Sequence, residues 1–197
     1  MTVFVKICGL RDAADVAAAV KAGANAVGFV FADSVRRVTP QQARSAALDL
    51  PDDVQRVAVM RHPSKEQCRA VLEEFEPDVV QADADDFAGL DIPDNIERWP
   101  VIREGAAAMD LPDVFLYEGS NSGRGETVDW ASAARFARRG RMILAGGLGP
   151  ENVVTAIRTT RPWGVDVSSG VESSHGRKDH ELIQRFVRAV RAAEKEL

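Results

Sequence analysis

Residues 141–152 read Arg-Met-Ile-Leu-Ala-Gly-Gly-Leu-Gly-Pro-Glu-Asn. The run over 141–145 is short and mostly apolar, as expected of a strand buried on both faces. Two glycines follow, and Gly149-Pro150 then opens a helix, because proline suits a first helical turn. A strand, a small-residue loop and a helix make one β/α unit. The same unit recurs along the chain. Strands are predicted over 3–7, 26–31, 54–60, 79–82, 98–103 and 114–118 upstream, and over 163–167 downstream.

The segments between them carry helical signals. Val16, Ala19 and Val20 share one face ahead of Gly23, a fitting residue to end a helix. Thr39 caps a helix with Pro40 in its first turn, and Ser64 with Gln67 forms a capping box. Cys68, Val71, Leu72 and Phe75 make one apolar face behind that box. Asp129 caps a helix predicted to end at Gly140. The last helix starts near Asp179, with Ile183, Phe186, Val187 and Val190 on one side.

Eight strands alternating with helices give an α/β chain, read as a single (β/α)8 TIM barrel spanning 1–197. An open doubly wound sheet would carry a Gly-x-Gly-x-x-Gly turn after its first strand, and the sequence has none there. Residues 83–112 are dominated by Asp, Pro and Ala, so helices four and five are expected to be short or irregular. The chain has 197 residues and a net charge of −5. That balance argues against nucleic acid or an anionic membrane as partner. There is no apolar run long enough for a membrane span and no signal-peptide pattern, and the two cysteines read as free thiols, so a cytoplasmic protein is expected. Oligomeric state is open between monomer and homodimer.

In this fold chemistry collects where strands end. The small-residue stretch 145–152 is the clearest phosphate signal, since glycines let backbone N–H groups approach an anion closely. Residues 166–172, Asp-Val-Ser-Ser-Gly-Val-Glu, supply the second half. Gly146, Gly147, Ser169 and Gly170 are therefore the candidate phosphate-binding residues, and a small phosphorylated molecule is the expected partner. Cys8 ends the first strand, with Lys6 two residues before it on the same side. An ammonium there would lower the thiol pKa; Lys6 could equally turn to the phosphate. Cys68 reads as core. His62 and His175 lack metal-type spacing, so no metal is assigned.

Together these residues resemble the phosphoribosylanthranilate isomerase family. The likeness rests on Val5-Lys6-Ile7-Cys8-Gly9-Leu10, on Gly28-Phe29-Val30-Phe31 with Ser34-Val35-Arg36-Arg37-Val38, on 78–81, on Asp129-Trp130, on 144–148 with Glu151-Asn152-Val153, and on 166–172 with Gly176, Lys178 and Asp179. The resemblance implies a cofactor-free Amadori rearrangement of tryptophan biosynthesis. N-(5'-phosphoribosyl)anthranilate would become 1-(2-carboxyphenylamino)-1-deoxyribulose 5-phosphate. It implies Cys8 as general base, Arg36 on the anthranilate carboxylate, and Lys6 and Gln81 among the substrate-binding groups.

The sequence departs from the family at several places. Glu118 stands where the family has an aspartate as general acid. Val35 replaces a usual proline, Ala82-Asp83-Ala84 replaces Leu-His-Gly, and Val59-Met60-Arg61-His62 and Ser122-Gly123-Arg124-Gly125 also differ. The main reading is the isomerase with Glu118 as acid. The alternatives are an isomerase of another aminated ribose phosphate and a phosphosugar-binding barrel without catalysis. The loop 119–127, rich in Gly and Ser, is composed to allow closure over a ligand.

Overall fold

The computed structural model describes residues 2–106, 111–119 and 127–195. Eight parallel strands close into a barrel: β1 (Phe4–Cys8), β2 (Ala26–Val30), β3 (Gln55–Val59), β4 (Val79–Asp83), β5 (Glu97–Arg103), β6 (Val114–Glu118), β7 (Arg141–Leu144) and β8 (Gly164–Val167). Closure is made by β8 pairing with β1, in the register Phe4↔Gly164 through Ile7↔Val167. Each strand reads as an apolar run because both of its faces are buried. Val5, Ile7, Val27, Phe29, Phe115 and Tyr117 face the surrounding helices, whereas Ala26, Val57, Val79, Trp99, Val101, Leu116 and Ile143 fill the barrel. Alternation along a strand makes this division strict.

The helices follow their local signals. α1 (Ala13–Ala22) is capped by Asp12 and ends at Gly23, whose φ of 97° needs a residue without Cβ. α2 (Pro40–Ala46) and α3 (Lys65–Phe75) both start with complete capping boxes, Thr39 with Gln42 and Ser64 with Gln67. α4 (Trp130–Ala137) is capped by the Asp129 carboxylate and stops short of Gly140. α5 (Val153–Thr160) opens later than Gly149-Pro150 suggested. The reason is Asn152: its side chain accepts from the Gly149 N–H at 2.9 Å and donates to the Gly147 carbonyl at 2.8 Å, so it clamps the preceding loop instead of capping the helix. α6 (His180–Glu194) buries Ile183, Phe186, Val187, Val190 and Ala193 along one face. Each large side chain so buried contributes roughly 1.5–3 kcal/mol.

After β4 the chain makes only a 3-10 turn over Ala84–Gly89, and no helix forms between β5 and β6 among the described residues. The expectation of short or irregular helices there is met. A two-stranded antiparallel hairpin, β9 (Glu172–Ser174) and β10 (Arg177–Lys178), projects after β8. No helix among the described residues is long and apolar enough to cross a membrane.

The N-terminal end of the barrel is plugged. Phe4 stacks on Trp163 at 4.6 Å between ring centroids and meets Trp99 edge-on at 5.7 Å. Polar groups of the barrel interior therefore collect at the other end, where the strands finish.

Candidate active site

Strand parity decides which residues enter the mouth. On β1 the even positions point inward, so Lys6 and Cys8 lie one above the other. On β4 and β5 the inward positions are Gln81 with Asp83, and Arg103; on β6 and β8 they are Glu118 and Asp166. Each sits in phase with inward apolar neighbours such as Val79, Val101 and Leu116. Cys8 and Glu118 thus both end strands at the same face of the barrel, three strands apart round the closed ring.

Lys6 is 0% exposed and its ammonium bonds Asp166 Oδ1 at 2.9 Å across the β1–β8 closure. Burial opposes its charge, but Asp166 and then Cys8 more than offset that, and the ammonium is held above its ordinary value. Lys6 therefore lies beneath the thiol, not on the surface that would meet a ligand. Gly28 on β2 makes the space: a Cβ there would come within 3.0 Å of Cys8 Sγ and 3.2 Å of Lys6 Nζ. Burial pushes the Cys8 thiol up, against the pull of Lys6, and Asp166 adds to the rise. This reverses the sign expected from Lys6 alone, because burial of the thiol outweighs the favourable charge of the ammonium.

Arg36 is also buried. Its Nε and Nη2 donate to the two oxygens of Glu172 at 2.6 and 2.8 Å, a bidentate pair joining the loop after β2 to β9. Lys178 donates to Glu172 at 2.8 Å and to the Ser168 carbonyl at 2.9 Å, and the Gly176 N–H donates to Glu172 at 3.0 Å. Burial alone would raise the Glu172 carboxyl, but the bonds from Arg36, Lys178 and Gly176 overcome it and hold it at about 2. The guanidinium keeps a second edge, Nη1 with one N–H of Nη2, for which no described residue is a partner. A planar guanidinium can serve a second carboxylate from that edge.

Across the mouth, Arg103 Nε donates to Asp83 Oδ1 at 3.0 Å and Nη1 donates to Glu118 Oε2 at 2.9 Å. Arg103 and Glu118 are register partners on β5 and β6, so the Glu118 carboxyl is fixed by its neighbouring strand. Gln81, 5% exposed, projects into the same interior. Residues 120–126, which continue from β6, lie outside the described residues, and so do Ser122 to Gly125 singled out from the sequence.

The two small-residue loops touch. A Cβ on Gly170 would fall 1.9 Å from the Leu148 carbonyl oxygen, so only glycine permits this approach. Gly146 and Gly147 adopt φ of 92° and 61°. Among the described residues no acceptor takes the N–H of Gly146, Gly147, Ser169 or Gly170. Four unengaged donors beside one another suit an anion.

The sequence had singled out Cys8, Lys6, Arg36 and the glycines. It had not given Asp166 or Lys178 a role, nor Glu172 beyond the second phosphate loop; Asp83 entered only within Ala82-Asp83-Ala84, and Arg103 only as the end of the fifth predicted strand. Their positions at strand ends were a signal; their partners, up to 160 residues away, were not legible. His62, Asp83 and Asp86 bring ligand atoms within 4.8 Å of one another. Asp86 is hydrogen-bonded to the His62 ring at 2.8 Å and Asp83 to Arg103, so both carboxylates of the cluster already have partners. A cleft between the loops after β2 and β3, lined by Phe31, Met60, His62 and Val71, lies beside the mouth and is lined by none of Cys8, Arg36, Gln81, Arg103 or Glu118.

The family described as N-(5'-phosphoribosyl)anthranilate (PRA) isomerase matches residues 5–189. An N-(5'-phosphoribosyl)anthranilate isomerase of Listeria monocytogenes is 37% identical over 96% of this chain and 99% of its own. A crystal structure of TrpF from Jonesia denitrificans superposes with a TM-score of 0.82 at 33% identity, covering 98% of each chain. A phosphoribosyl anthranilate isomerase solved with reduced 1-(o-carboxyphenylamino)-1-deoxyribulose 5-phosphate superposes with a TM-score of 0.78 at 31% identity, covering 97% of this chain and 100% of that one.

Proposed function

The chain belongs to the N-(5'-phosphoribosyl)anthranilate isomerase family, and on that footing we propose that it isomerises N-(5'-phosphoribosyl)anthranilate in tryptophan biosynthesis with Cys8 and Glu118 as its acid–base pair. The observation that supports this reading is their common placement at one barrel face, next to two small-residue loops that meet at Leu148 and Gly170.

The reaction proceeds without a cofactor. The N–H groups of Gly146, Gly147, Ser169 and Gly170 hold the phosphate, and the outer edge of Arg36 takes the anthranilate carboxylate. Glu118 protonates the ribose ring oxygen as its bond to C1 breaks, and the nitrogen lone pair forms the C1 iminium. Cys8, as thiolate, removes the C2 proton; the electron pair forms the C1–C2 double bond and returns the lone pair to nitrogen. The thiol then gives its proton to C1. The enol hydroxyl loses its own, through solvent, to re-form the Glu118 acid and leave the ketone. Lys6 acts on this sequence by stabilising the thiolate from below, as a positioning residue. Gln81 belongs to the end of the pocket away from the phosphate.

The test is a fluorescence assay with freshly generated N-(5'-phosphoribosyl)anthranilate. The wild type is expected to turn over, and Cys8→Ala to lose at least about 100-fold in kcat while keeping its circular dichroism spectrum. Wild-type rates from Cys8→Ala would remove the thiol from the mechanism.

A further inference from the structure

The cleft between the loops after β2 and β3 lies outside the acid–base site and combines an apolar floor with charge. Its volume is about 580 Å³, within the roughly 300–1,000 Å³ of small-molecule pockets. Phe31, Pro40, Met60, Ala70 and Val71 supply apolar lining, and Asp33, Arg37 and Arg61 supply charge. Its walls are fixed by contacts of their own. Phe31 packs on Phe75 with ring centroids 5.6 Å apart, and Met60 and Val71 are both buried. The loop 31–37 leaves the barrel at Val30 and returns to it, since Val30 and Arg37 form a β-bridge. The opposite wall is tied at His62, whose backbone N–H and ring both bond Asp86, at 2.9 and 2.8 Å.

The charges of this cleft are not used by the fold. Among the described residues, neither the Asp33 carboxylate nor the Arg37 guanidinium meets a hydrogen-bond or ion-pair partner. Arg61 approaches Asp83 only at 3.7 Å, with about half of its side chain exposed. Met60, Arg61 and His62 also fall in a stretch at which the sequence departs from its family, so the reaction shared by the family does not call for them. The chemistry of the lining then narrows the ligand. A plain organic acid would use the two arginines and leave Asp33 beside a second negative charge. A plain amine would use Asp33 and leave the arginines without an anion. Two guanidinium groups, one carboxylate and an apolar floor together match a molecule with a carboxylate, an ammonium and a hydrocarbon body.

We propose that this cleft binds a hydrophobic α-amino acid, with its carboxylate on Arg37 and Arg61, its ammonium on Asp33, and its side chain against Phe31, Met60 and Val71. The planar fork of an arginine matches a carboxylate, and the thioether of Met60 adapts to the shape of the side chain it meets. Arg37 follows Arg36 in the chain, yet only Arg37 lines the cleft. The site is thus separate from the mouth although it shares a loop with it. The proposal does not depend on the isomerase reading.

Isothermal titration of the full chain tests this with L-leucine, L-phenylalanine and L-tryptophan as probes. At least one is expected to bind with a Kd of about 1 mM or tighter. Analogues of the tightest probe that lack either the ammonium or the carboxylate should bind at least about fivefold more weakly. Asp33→Asn should weaken the amino acid at least about fivefold and leave its deaminated analogue unaffected, whereas Arg37→Gln should weaken both. Both side chains are exposed, so the variants should melt within about 2 °C of the wild type. The proposal is overturned if no probe binds at about 1 mM or tighter, if the deaminated analogue binds as well as the amino acid, or if the two variants bind as the wild type does.

Discussion

Lys6 and Asp166 meet at 2.9 Å across the seam where the first and last strands close the barrel, directly beneath the Cys8 thiol. The contact joins residues 160 positions apart and has two consequences. It fixes the closure with a buried ion pair, and it shares the ammonium between the carboxylate and the thiol. Burial then dominates, and Cys8 is pushed above its ordinary value, with Lys6 limiting the rise.

Alkylation of Cys8 by iodoacetamide, measured in a Cys68→Ala background, should therefore be slow at neutral pH. It should accelerate through a midpoint above the ordinary thiol value of 9.0. Lys6→Met removes a group that favours the thiolate, so its midpoint should move higher still. A midpoint at or below 9.0 in the parent protein would contradict this account of the thiol.

The same pair makes a stability prediction. Lys6→Met leaves the Asp166 carboxylate buried without its counter-charge and should cost on the order of 3–5 kcal/mol in urea unfolding. Adding Asp166→Asn should recover most of that loss. A double variant no more stable than Lys6→Met would show that the pair is not what holds the seam.

Glu172 sets a pH dependence. Its folded value is about 2 against an ordinary 4.5, so the folded state favours the carboxylate. The resulting stability is fully present above about pH 4.5 and is lost as pH falls through about 2. It amounts to on the order of 3 kcal/mol. The stability gap between the wild type and Glu172→Gln should be constant from pH 8 to about 5 and shrink on further acidification. A gap that does not change with pH would rule out the ionised carboxylate as its source.

Glu118 is longer by one methylene than the aspartate the family resemblance implies. Arg103, itself anchored by Asp83, receives that longer side chain at 2.9 Å. The site is thus built for glutamate. Glu118→Asp should lower kcat by about 10–100-fold with KM nearly unchanged, since a displacement near 1 Å has costs of that order. Equal or faster turnover by Glu118→Asp would mean that the Arg103 contact does not place the acid.

Gly170→Ala brings a Cβ against the backbone carbonyl of Leu148, an obstacle that cannot rotate away. The two phosphate loops must separate. The variant should lower stability by at least about 2 kcal/mol and raise KM more than it lowers kcat. Unchanged KM would detach these loops from substrate binding.

Much of this molecule was legible in its sequence for identifiable reasons. Strands buried on both faces leave apolar runs, so all eight could be read from runs such as 26–31 and 141–145. Thr39, Ser64, Asp129 and Asp179 announced their helices because a cap is a local bond between neighbours. Gly149-Pro150 misled because the helix opens only at Val153, after the Asn152 side chain turns backward onto Gly147 and Gly149, a choice set by the loop and not by the helix. The polar networks stayed hidden for the opposite reason to the caps. Lys6 with Asp166, Arg36 with Glu172 and Arg103 with Asp83 are contacts that exist only once the barrel is closed. The sign of the Cys8 shift could not be read for the same reason, since it is set by burial of the thiol in the closed barrel, which outweighs Lys6.

The most direct test of the central claim is a crystal structure of this chain with reduced 1-(o-carboxyphenylamino)-1-deoxyribulose 5-phosphate. The phosphate should lie within hydrogen-bond reach of the N–H groups of Gly147 and Gly170. C2 should sit beside Cys8 Sγ, and the carboxylate should meet the outer edge of Arg36. An analogue bound with its phosphate away from these glycines, or with C2 out of reach of Cys8, would contradict the account.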